Sequence, residues 1–291
     1  MRRLFLALML LVVSAALVFA EDRGNGNEGN KSKQDKDDHN DKAPVQAGYA
    51  VIAPVSAPTG LIVFETFGLR HDDSGTRQAG ILPPDLTTNA VLFVDSSDRL
   101  AKNLGVAIVN PNGSTASVKL TLRRHDGTQV ATTTVDVPAR QQTSKFFRDL
   151  FSRQSTIPAE LTGTLTITAN LPVSVIGLRF RGSNFSTLPV TNLSGNGGSL
   201  PIFPNGIVGG AGAILLPQFA AGGGWATELV LMNTNSAGSL TVRVDLFKSD
   251  GSPLSASLNG QTASSFTNLP PIPAGGVLTL APRDRDGDDD F

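Results

Sequence analysis

A repeated strand-and-turn pattern constrains the fold of this chain more than any other sequence feature. Residues 105–127 read as a strand, an Asn-Pro-Asn-Gly turn, an alternating strand and an Asp-Gly turn. Nearly the same order returns at residues 228–251. Asn110 matches Asn233 at an offset of 123 residues, and the Asp-Gly turns match at an offset of 124. Because the match preserves inward and outward positions, we expect both segments to share one sub-fold.

Strand signals recur along the first copy of this pattern. Alternating apolar residues at 118–122 indicate a strand with one buried face, and residues 161–168 and 173–180 indicate two further strands. The apolar spacing at 144–151 is nearer that of a helical turn. About six strands between residues 90 and 180, separated by turn signals, predict an antiparallel β-sandwich. In the second copy, residues 240–248 match the alternating strand.

The first twenty residues have the pattern of a secretory signal peptide. Arg2 and Arg3 precede a short apolar run, and Val18 and Ala20 fit the small-residue positions before a cleavage site. No second run of that kind follows, so the sequence predicts a soluble protein that is secreted, extracellular or periplasmic, with no transmembrane segment in the mature chain. Residues 21–42 contain no aliphatic or aromatic side chain and should be disordered.

Composition shifts divide the chain into seven predicted segments. They are a signal peptide (1–20), a disordered linker (21–46), an N-terminal strand pair with its connection (47–88), a first β-sandwich (89–190), a Gly/Asn/Ser-rich linker (191–204), a second, incomplete β-sandwich (205–283) and an acidic tail (284–291).

The strands that the second copy lacks have a counterpart at the opposite end of the chain. Nothing after Leu280 matches the last two strands of the first copy, but residues 50–53 and 58–64 resemble them. An incomplete sandwich exposes a strand edge that favours aggregation. We therefore expect the N-terminal pair either to extend the first module or to complete the second, within the chain or from a neighbouring molecule as a strand-exchanged oligomer.

Cysteine content and charge limit the chemistry that the chain can support. It contains no cysteine, which excludes a lipoprotein anchor, Cys-based metal sites and thiol chemistry. Residues 99–181 hold eleven Lys/Arg against four Asp/Glu, whereas residues 204–291 hold four against eight. This asymmetry indicates differently charged solvated faces, a face that binds polyanions, or electrostatic docking between the halves.

No motif in the sequence carries a reaction. The three His residues have no metal-ligand spacing, and the Gly-rich stretches lack the Lys-Ser/Thr of a phosphate loop. The tail at 284–290 departs from the calcium-loop spacing, so an acidic tail is the better interpretation and weak calcium binding the alternative. The sequence therefore predicts a protein that is not an enzyme and has no cofactor or metal site.

A few side chains are candidates for ligand contact. Trp225 could stack against a sugar, although a core or rim position in a sandwich is the alternative. Basic residues of the first module could contact an acidic polysaccharide or another exported protein, whereas the export signal and the lack of interleaved aromatic residues argue against nucleic acid. These basic residues are Arg123, Arg140, Lys145, Arg148, Arg179 and Arg181, with Lys119 beside them.

Three stretches carry a resemblance to a known kind of module. They are residues 103–111, 175–180 and 223–233, the last containing Gly-Gly-Trp-Ala-Thr-Glu-Leu. This text resembles tandem β-sandwich modules in exported bacterial proteins of uncharacterised function, and the resemblance covers most of residues 90–280. It implies an immunoglobulin-like fold and an extracellular setting, with no catalytic residues to transfer.

Together these features predict an exported all-β protein with two tandem immunoglobulin-like antiparallel β-sandwich modules, preceded by a signal peptide and a disordered linker. The expected role is structural or adhesive, through binding at the cell surface or in the extracellular matrix. One alternative is a carbohydrate-binding accessory module, which requires Trp225. Another is a hydrolase with a site between the modules, which requires two carboxylates about 5–10 Å apart in a cleft.

Overall fold

The structure, a computed structural model, describes residues 48–53, 62–71, 75–153, 157–194, 214, 216, 218–221 and 226–283. The predicted signal peptide, acidic tail and N-terminal linker up to residue 46 lie outside the described residues, as does Trp225. Within the described part the chain is mostly antiparallel β-sheet with a single helical turn, which confirms the all-β prediction.

Residues 65–192 contain ten strands and one helical turn. They are β1 (Glu65–His71), β2 (Gly75–Ile81), β3 (Thr87–Ser97), β4 (Lys102–Asn110), β5 (Ala116–Arg124), β6 (Gln129–Val137), β7 (Gln141–Phe146), α1 (Phe147–Leu150), β8 (Glu160–Arg181), β9 (Asn184–Leu188) and β10 (Thr191–Asn192). The turn α1 confirms the helical spacing seen at 144–151. We call residues 87–194 the first β-region.

The long strand β8 organises the first β-region. The prediction of two separate strands at 161–168 and 173–180 is wrong, because β8 runs unbroken for 22 residues. Its first half, up to Ala169, pairs with β3 on one side and β5 on the other. From Ser174 onward it pairs instead with β4 and β9. Pro172, which cannot donate a backbone hydrogen bond, lies at the change of partners, where no ladder bond is lost.

The core of the first β-region lies between these two sets of paired strands. Alternate residues of each strand point into it, as the period of two in a pleated strand requires. Its fully buried members include Leu92, Ile108, Leu120, Leu165 and Ile167. Burying each such side chain contributes about 1.5–3 kcal/mol relative to exposure.

Residues 226–283, the second β-region, form shorter strands. They are β11 (Leu229–Met232), β12 (Val244–Asp245), β13 (Ala256–Leu258), β14 (Gln261–Ala263), β15 (Ser265–Phe266) and β16 (Val277–Leu280). They pair as β11 with β16, β12 with β15 and β13 with β14. The prediction of a full strand at 240–248 is wrong, since β12 covers two residues and only isolated bridges flank it. Within the described residues β12 pairs only with β15, over two residue pairs.

Two turns have the same hydrogen bonds in both β-regions. Asn110 and Asn233 are buried, and their side-chain amides donate to the carbonyls of Val137 and Ile272. Each accepts a bond at Oδ1 from the backbone N–H two residues later. In both Asp-Gly turns the aspartate accepts from the backbone N–H and the hydroxyl of the Thr or Ser two residues on.

The N-terminal hairpin of β1 and β2 is associated with the first β-region. The two strands are antiparallel over seven residue pairs, and β2 lies alongside β9. The Tyr49 hydroxyl donates to the carbonyl of Arg140, 2.9 Å away. Residues 82–86 are all that connect β2 to β3.

Candidate functional site at the junction of the two β-regions

The two β-regions meet along a junction made by backbone contacts. The Val277 N–H donates to the His125 carbonyl at 2.9 Å, beside the Asp-Gly turn of the first β-region. The Thr164 hydroxyl, on β8, donates to the Gly275 carbonyl at 3.2 Å. Gly127 lies so close to the Ala274 carbonyl that a Cβ atom at this position would overlap it. The turn before β16 therefore docks on the end of β5 and on β8.

A network of charged side chains crosses the junction. Arg179 donates from Nη1 to Glu228 Oε2 at 2.7 Å and from Nη2 to Asp95 Oδ2 at 2.9 Å. Lys102 Nζ lies 3.0 Å from the same Asp95 oxygen. The side chains of Glu228 and Lys102 are only 8% and 4% exposed, so their charges are removed from most of the solvent.

The charge of Arg179 is fixed by its partners. Burial lowers the pKa of the guanidinium, but attraction to Glu228 and then to Asp95, with the hydrogen bonds to both, outweighs burial and raises the pKa above its ordinary value. Truncating one member of such a buried network is costly because the opposite charge is left without compensation. The network can therefore hold the two β-regions in one arrangement.

A groove of about 280 Å³ opens beside this network. Its lining carries both signs of charge, with Asp95, Glu160 and Glu228 opposite Lys102, Arg124 and Arg283. Asp95 and Glu228 both bind the Arg179 guanidinium, so these two carboxylates are already occupied. Two of the three acids in this lining are therefore paired with a cation, and the third, Glu160, accepts from the Arg99 N–H at 3.5 Å.

A second groove of about 220 Å³ lies on the other side of the docking turn. Amide and hydroxyl side chains dominate its lining, which includes Asn89, Thr164, Thr166, Asn235 and Ser236. Among the described residues, the Asn89 Oδ1 atom is buried without a hydrogen-bond partner. The amide and hydroxyl groups that line the groove can donate hydrogen bonds to a ligand and accept them from it.

The structure separates the basic residues that the sequence nominates for ligand contact. Arg179 belongs to the junction network, and Arg123 donates to the Gly127 carbonyl while its side chain lies against Gly275. Arg148 donates to Ser96 Oγ and to the carbonyls of residues 158 and 159. These three side chains hold the fold together.

The remaining nominated residues differ in accessibility. Arg181 is half-buried at the end of β8. Arg140 and Lys145 are exposed, with Arg140 just before β7 and Lys145 within it. Among the described strands β7 pairs only with β4. Trp225 lies outside the described residues, so its role as a sugar platform stays a prediction.

Sequence reasoning missed Asp95, Lys102 and Asn89, and it treated Glu228 as an acid without a local partner. The signal that could have found Glu228 was the opposite charge of the two halves. The Arg179–Glu228 ion pair is the kind of contact that electrostatic docking between them predicts.

In the described part of the chain, no group of three or more His, Cys, Asp or Glu side chains is arranged to hold a metal ion. Within the same residues, no helix is long and apolar enough to cross a membrane.

No protein-family model matches this chain, and no curated protein sequence matches it. Among solved structures, the Anabaena sensory rhodopsin transducer is similar over 31% of this chain and 91% of its own, at 26% identity and a TM-score of 0.27. The structure of Thermotoga maritima 1070 is similar over 36% of this chain and 90% of its own, at 15% identity and a TM-score of 0.28. Both TM-scores are too low for a fold or a function to be transferred.

Proposed function

We propose that this chain is an exported, non-catalytic structural or adhesion protein that acts through two tandem immunoglobulin-like β-sandwich modules at the cell surface or in the extracellular matrix. Export rests on the pattern of the first twenty residues. The tandem organisation is supported by the matched hydrogen bonds of Asn110 and Asn233 and of the two Asp-Gly turns. In this proposal the two β-regions are the modules.

The observation that carries the non-catalytic role is the junction network. Arg179 and Lys102 together neutralise Asp95 and Glu228 across the junction, as a joint between modules requires. A hydrolase would need one carboxyl group protonated and another free to attack or to activate water. Asp95 and Glu228 both bind Arg179, so neither is free for this role, and we rank the hydrolase alternative last.

The exposed cations near β7 suit a surface polysaccharide or an acidic exported protein as partner. Arg140 and Lys145 are exposed, and neither has a carboxylate partner among the described ion pairs. A lysine on an edge strand also discourages pairing with other strands. We propose that these two residues contribute to an anionic-ligand contact.

Binding of the full chain to alginate, an acidic polysaccharide, tests this function, with neutral dextran as the reference polymer. We expect binding to alginate that weakens with added salt and that falls several-fold in the Arg140→Ala/Lys145→Ala variant, because exposed charges are screened by salt. The matched control is Arg153→Ala/Lys248→Ala, which removes one exposed arginine and one exposed lysine elsewhere. Equal losses in both variants would show a general charge effect and contradict the proposed contact.

A carbohydrate-binding accessory module is the second candidate function, and the second groove favours it. The amide and hydroxyl lining, which includes Asn89, suits a ligand rich in hydroxyl groups. This candidate predicts binding on a glycan array that is lost in Trp225→Ala and weakened at least several-fold in Asn89→Ala. Binding that survives both substitutions would remove this candidate.

A further inference from the structure

The second β-region has no counterpart of β8 among its described residues. In the first β-region β4 lies between β7 and β8, whereas β11, the equivalent of β4, pairs only with β16. The equivalent of β7 is β16, because Asn233 N–H donates to the Gly276 carbonyl just before β16, while Asn110 pairs with Gln141 at the start of β7. One edge of β11 is therefore open within the part of the chain that the structure describes.

The open edge coincides with incomplete burial of apolar side chains. Ile108 on β4 is 0% exposed, but its equivalent on β11, Leu231, is only partly buried. Leu120 on β5 is also 0% exposed, and its equivalent Val244 is again only partly buried. The apolar residues are present in the second β-region, but the strand that would cover them is not among its described elements.

The N-terminal hairpin has the sequence and geometry of the missing strand. Phe67-Gly-Leu-Arg70 on β1 repeats the pattern of Ile176-Gly-Leu-Arg179 on β8, at an offset of 109 residues. Each segment then turns into an antiparallel partner, β2 after β1 and β9 after β8. The match at residues 67–70 lies within β1, next to the turn into β2, whereas the match at residues 58–64 precedes β1. It therefore makes β1 the equivalent of the second half of β8.

Each of the two strands, β1 and β11, has one edge without a partner among the described strands. In its own chain β1 pairs only with β2 among the described strands, and β2 lies alongside β9, so β1 is outermost on the first β-region. On β11, the bond from Asn233 N–H to β16 sets the alternation, which directs the backbone groups of Val230 and Met232 to the open edge. Next to β1, Ile62 and Phe64 are 89% and 74% exposed.

We propose that β1 of one copy adds antiparallel to the open edge of β11 in a second copy of this chain. The partner is a second copy rather than the same chain because β2, the Tyr49 hydrogen bond and the short 82–86 connection all tie the hairpin to its own first β-region. Main-chain hydrogen bonds supply the attraction, as in other cases of strand addition. The inference rests on the proposed equivalence of the two modules and not on what they bind.

The register follows from the first β-region. There Ser174 pairs with Val109 and Gly177 with Val106. The offset is 109 residues between β1 and β8 and 123 residues between β4 and β11. With these offsets, Glu65 pairs with Met232 and Gly68 with Leu229. Directly opposed residues in an antiparallel pair have Cα atoms about 4.5–5.5 Å apart, which is within the range of a disulfide.

The absence of natural cysteine makes disulfide trapping a clean test. Full-length Glu65→Cys and Met232→Cys variants are mixed and oxidised, and we expect a disulfide-linked heterodimer at least ten-fold in excess of that from the control pair. The control replaces Met232→Cys with Thr279→Cys, which lies on β16, one strand further from the open edge. Far-UV circular dichroism of each variant checks that the sheets are retained.

Two results would overturn the proposal. A Glu65→Cys/Met232→Cys double variant that forms an internal disulfide and runs as a monomer, without mixed heterodimer, would place the strand in the same chain. If no disulfide forms in either experiment, the proposed pairing of β1 with β11 is wrong. Trapping without alginate binding would instead leave this inference intact and contradict the proposed ligand contact, so the two failures are distinguishable.

Discussion

The two β-regions share their turns but differ in the strand that runs through the centre. In the first β-region the 22-residue strand β8 has partners on both sides over most of its length, and the inward apolar residues of β4 and β5 are buried against it. In the second β-region the equivalent residues belong to short strands with one described partner each, and several are only partly buried. The comparison shows that similar amphipathic segments are fully buried where a central strand pairs beside them, and only partly buried where no such strand is described.

The largest contrast should come from the matched core residues Ile108 and Leu231. Ile108→Ala should destabilise the chain by about 2–5 kcal/mol, because it leaves a cavity in a closed core. Leu231→Ala should cost only about 1–2 kcal/mol, since less apolar surface is buried there. Urea denaturation followed by circular dichroism measures both, and equal costs would contradict the idea that the second core is incomplete.

The junction network should give the next largest effect. Arg179→Ala leaves Glu228 and Asp95 without their shared cation and should cost about 2–3 kcal/mol. Arg140→Ala, which removes an exposed arginine, should change the free energy of unfolding by less than about 0.5 kcal/mol. If the two variants unfold at the same urea concentration, the network does not hold the β-regions together.

The two Asp-Gly turns provide a matched pair that isolates contact between the β-regions. Gly127 and Gly251 have φ angles of 81° and 84°, so an alanine at either position is strained by about 1–2 kcal/mol. A Cβ atom at Gly127 would also overlap the Ala274 carbonyl, whereas nothing lies within 4 Å of the Cβ position at Gly251. We expect Gly127→Ala to cost at least about 1 kcal/mol more than Gly251→Ala in thermal unfolding.

The smallest effect should be the pH dependence of the same turns. Hydrogen bonds from the Thr128 hydroxyl and then its N–H lower the pKa of Asp126, and Ser252 lowers that of Asp250 in the same way. A carboxylate whose pKa is lowered by folding stabilises the fold above its unfolded pKa, and this contribution is lost as the pH falls below about 4.

Replacing the hydroxyl tests this contribution in each turn. Thr128→Val and Ser252→Ala should lower the melting temperature at pH 7 and reduce the further loss between pH 5 and pH 3, to a similar extent in both turns. A variant with the parent's melting temperature at pH 7 but a larger decrease in melting temperature at pH 3 would contradict this prediction.

Local features of the fold were predictable from the sequence. The helical turn at Phe147–Leu150 follows from apolar spacing, and both Asp-Gly turns follow from the glycine that a positive φ requires. Residues 169–172, Ala-Asn-Leu-Pro, are typical of a break between two strands, but they lie inside the single strand β8. Sequence patterns describe what a segment favours alone, whereas β8 stays extended there because different strands take over its pairing on either side.

The candidate site was predictable only in part. Arg179 stood out as one basic residue among several, but its partners Asp95 and Glu228 lie 84 and 49 residues away in the chain. No spacing rule connects such residues, because ion pairs form wherever the folded chain brings opposite charges together. The same reasoning applies to Asn89, whose unpartnered oxygen depends on a groove between elements from both β-regions.

The sequence alone determined the all-β class, the positions of the matched turns and the alternation that selects which residues of each strand point inward. These properties depend on φ preferences and on the period of two in a strand, which are local. Only the tertiary structure decided that β8 is one strand with two sets of partners, that Arg179 joins the β-regions and that β1 and β11 each have one edge unpaired among the described strands. Pairing and burial depend on which distant segments meet, and residue order along the chain does not specify that by itself.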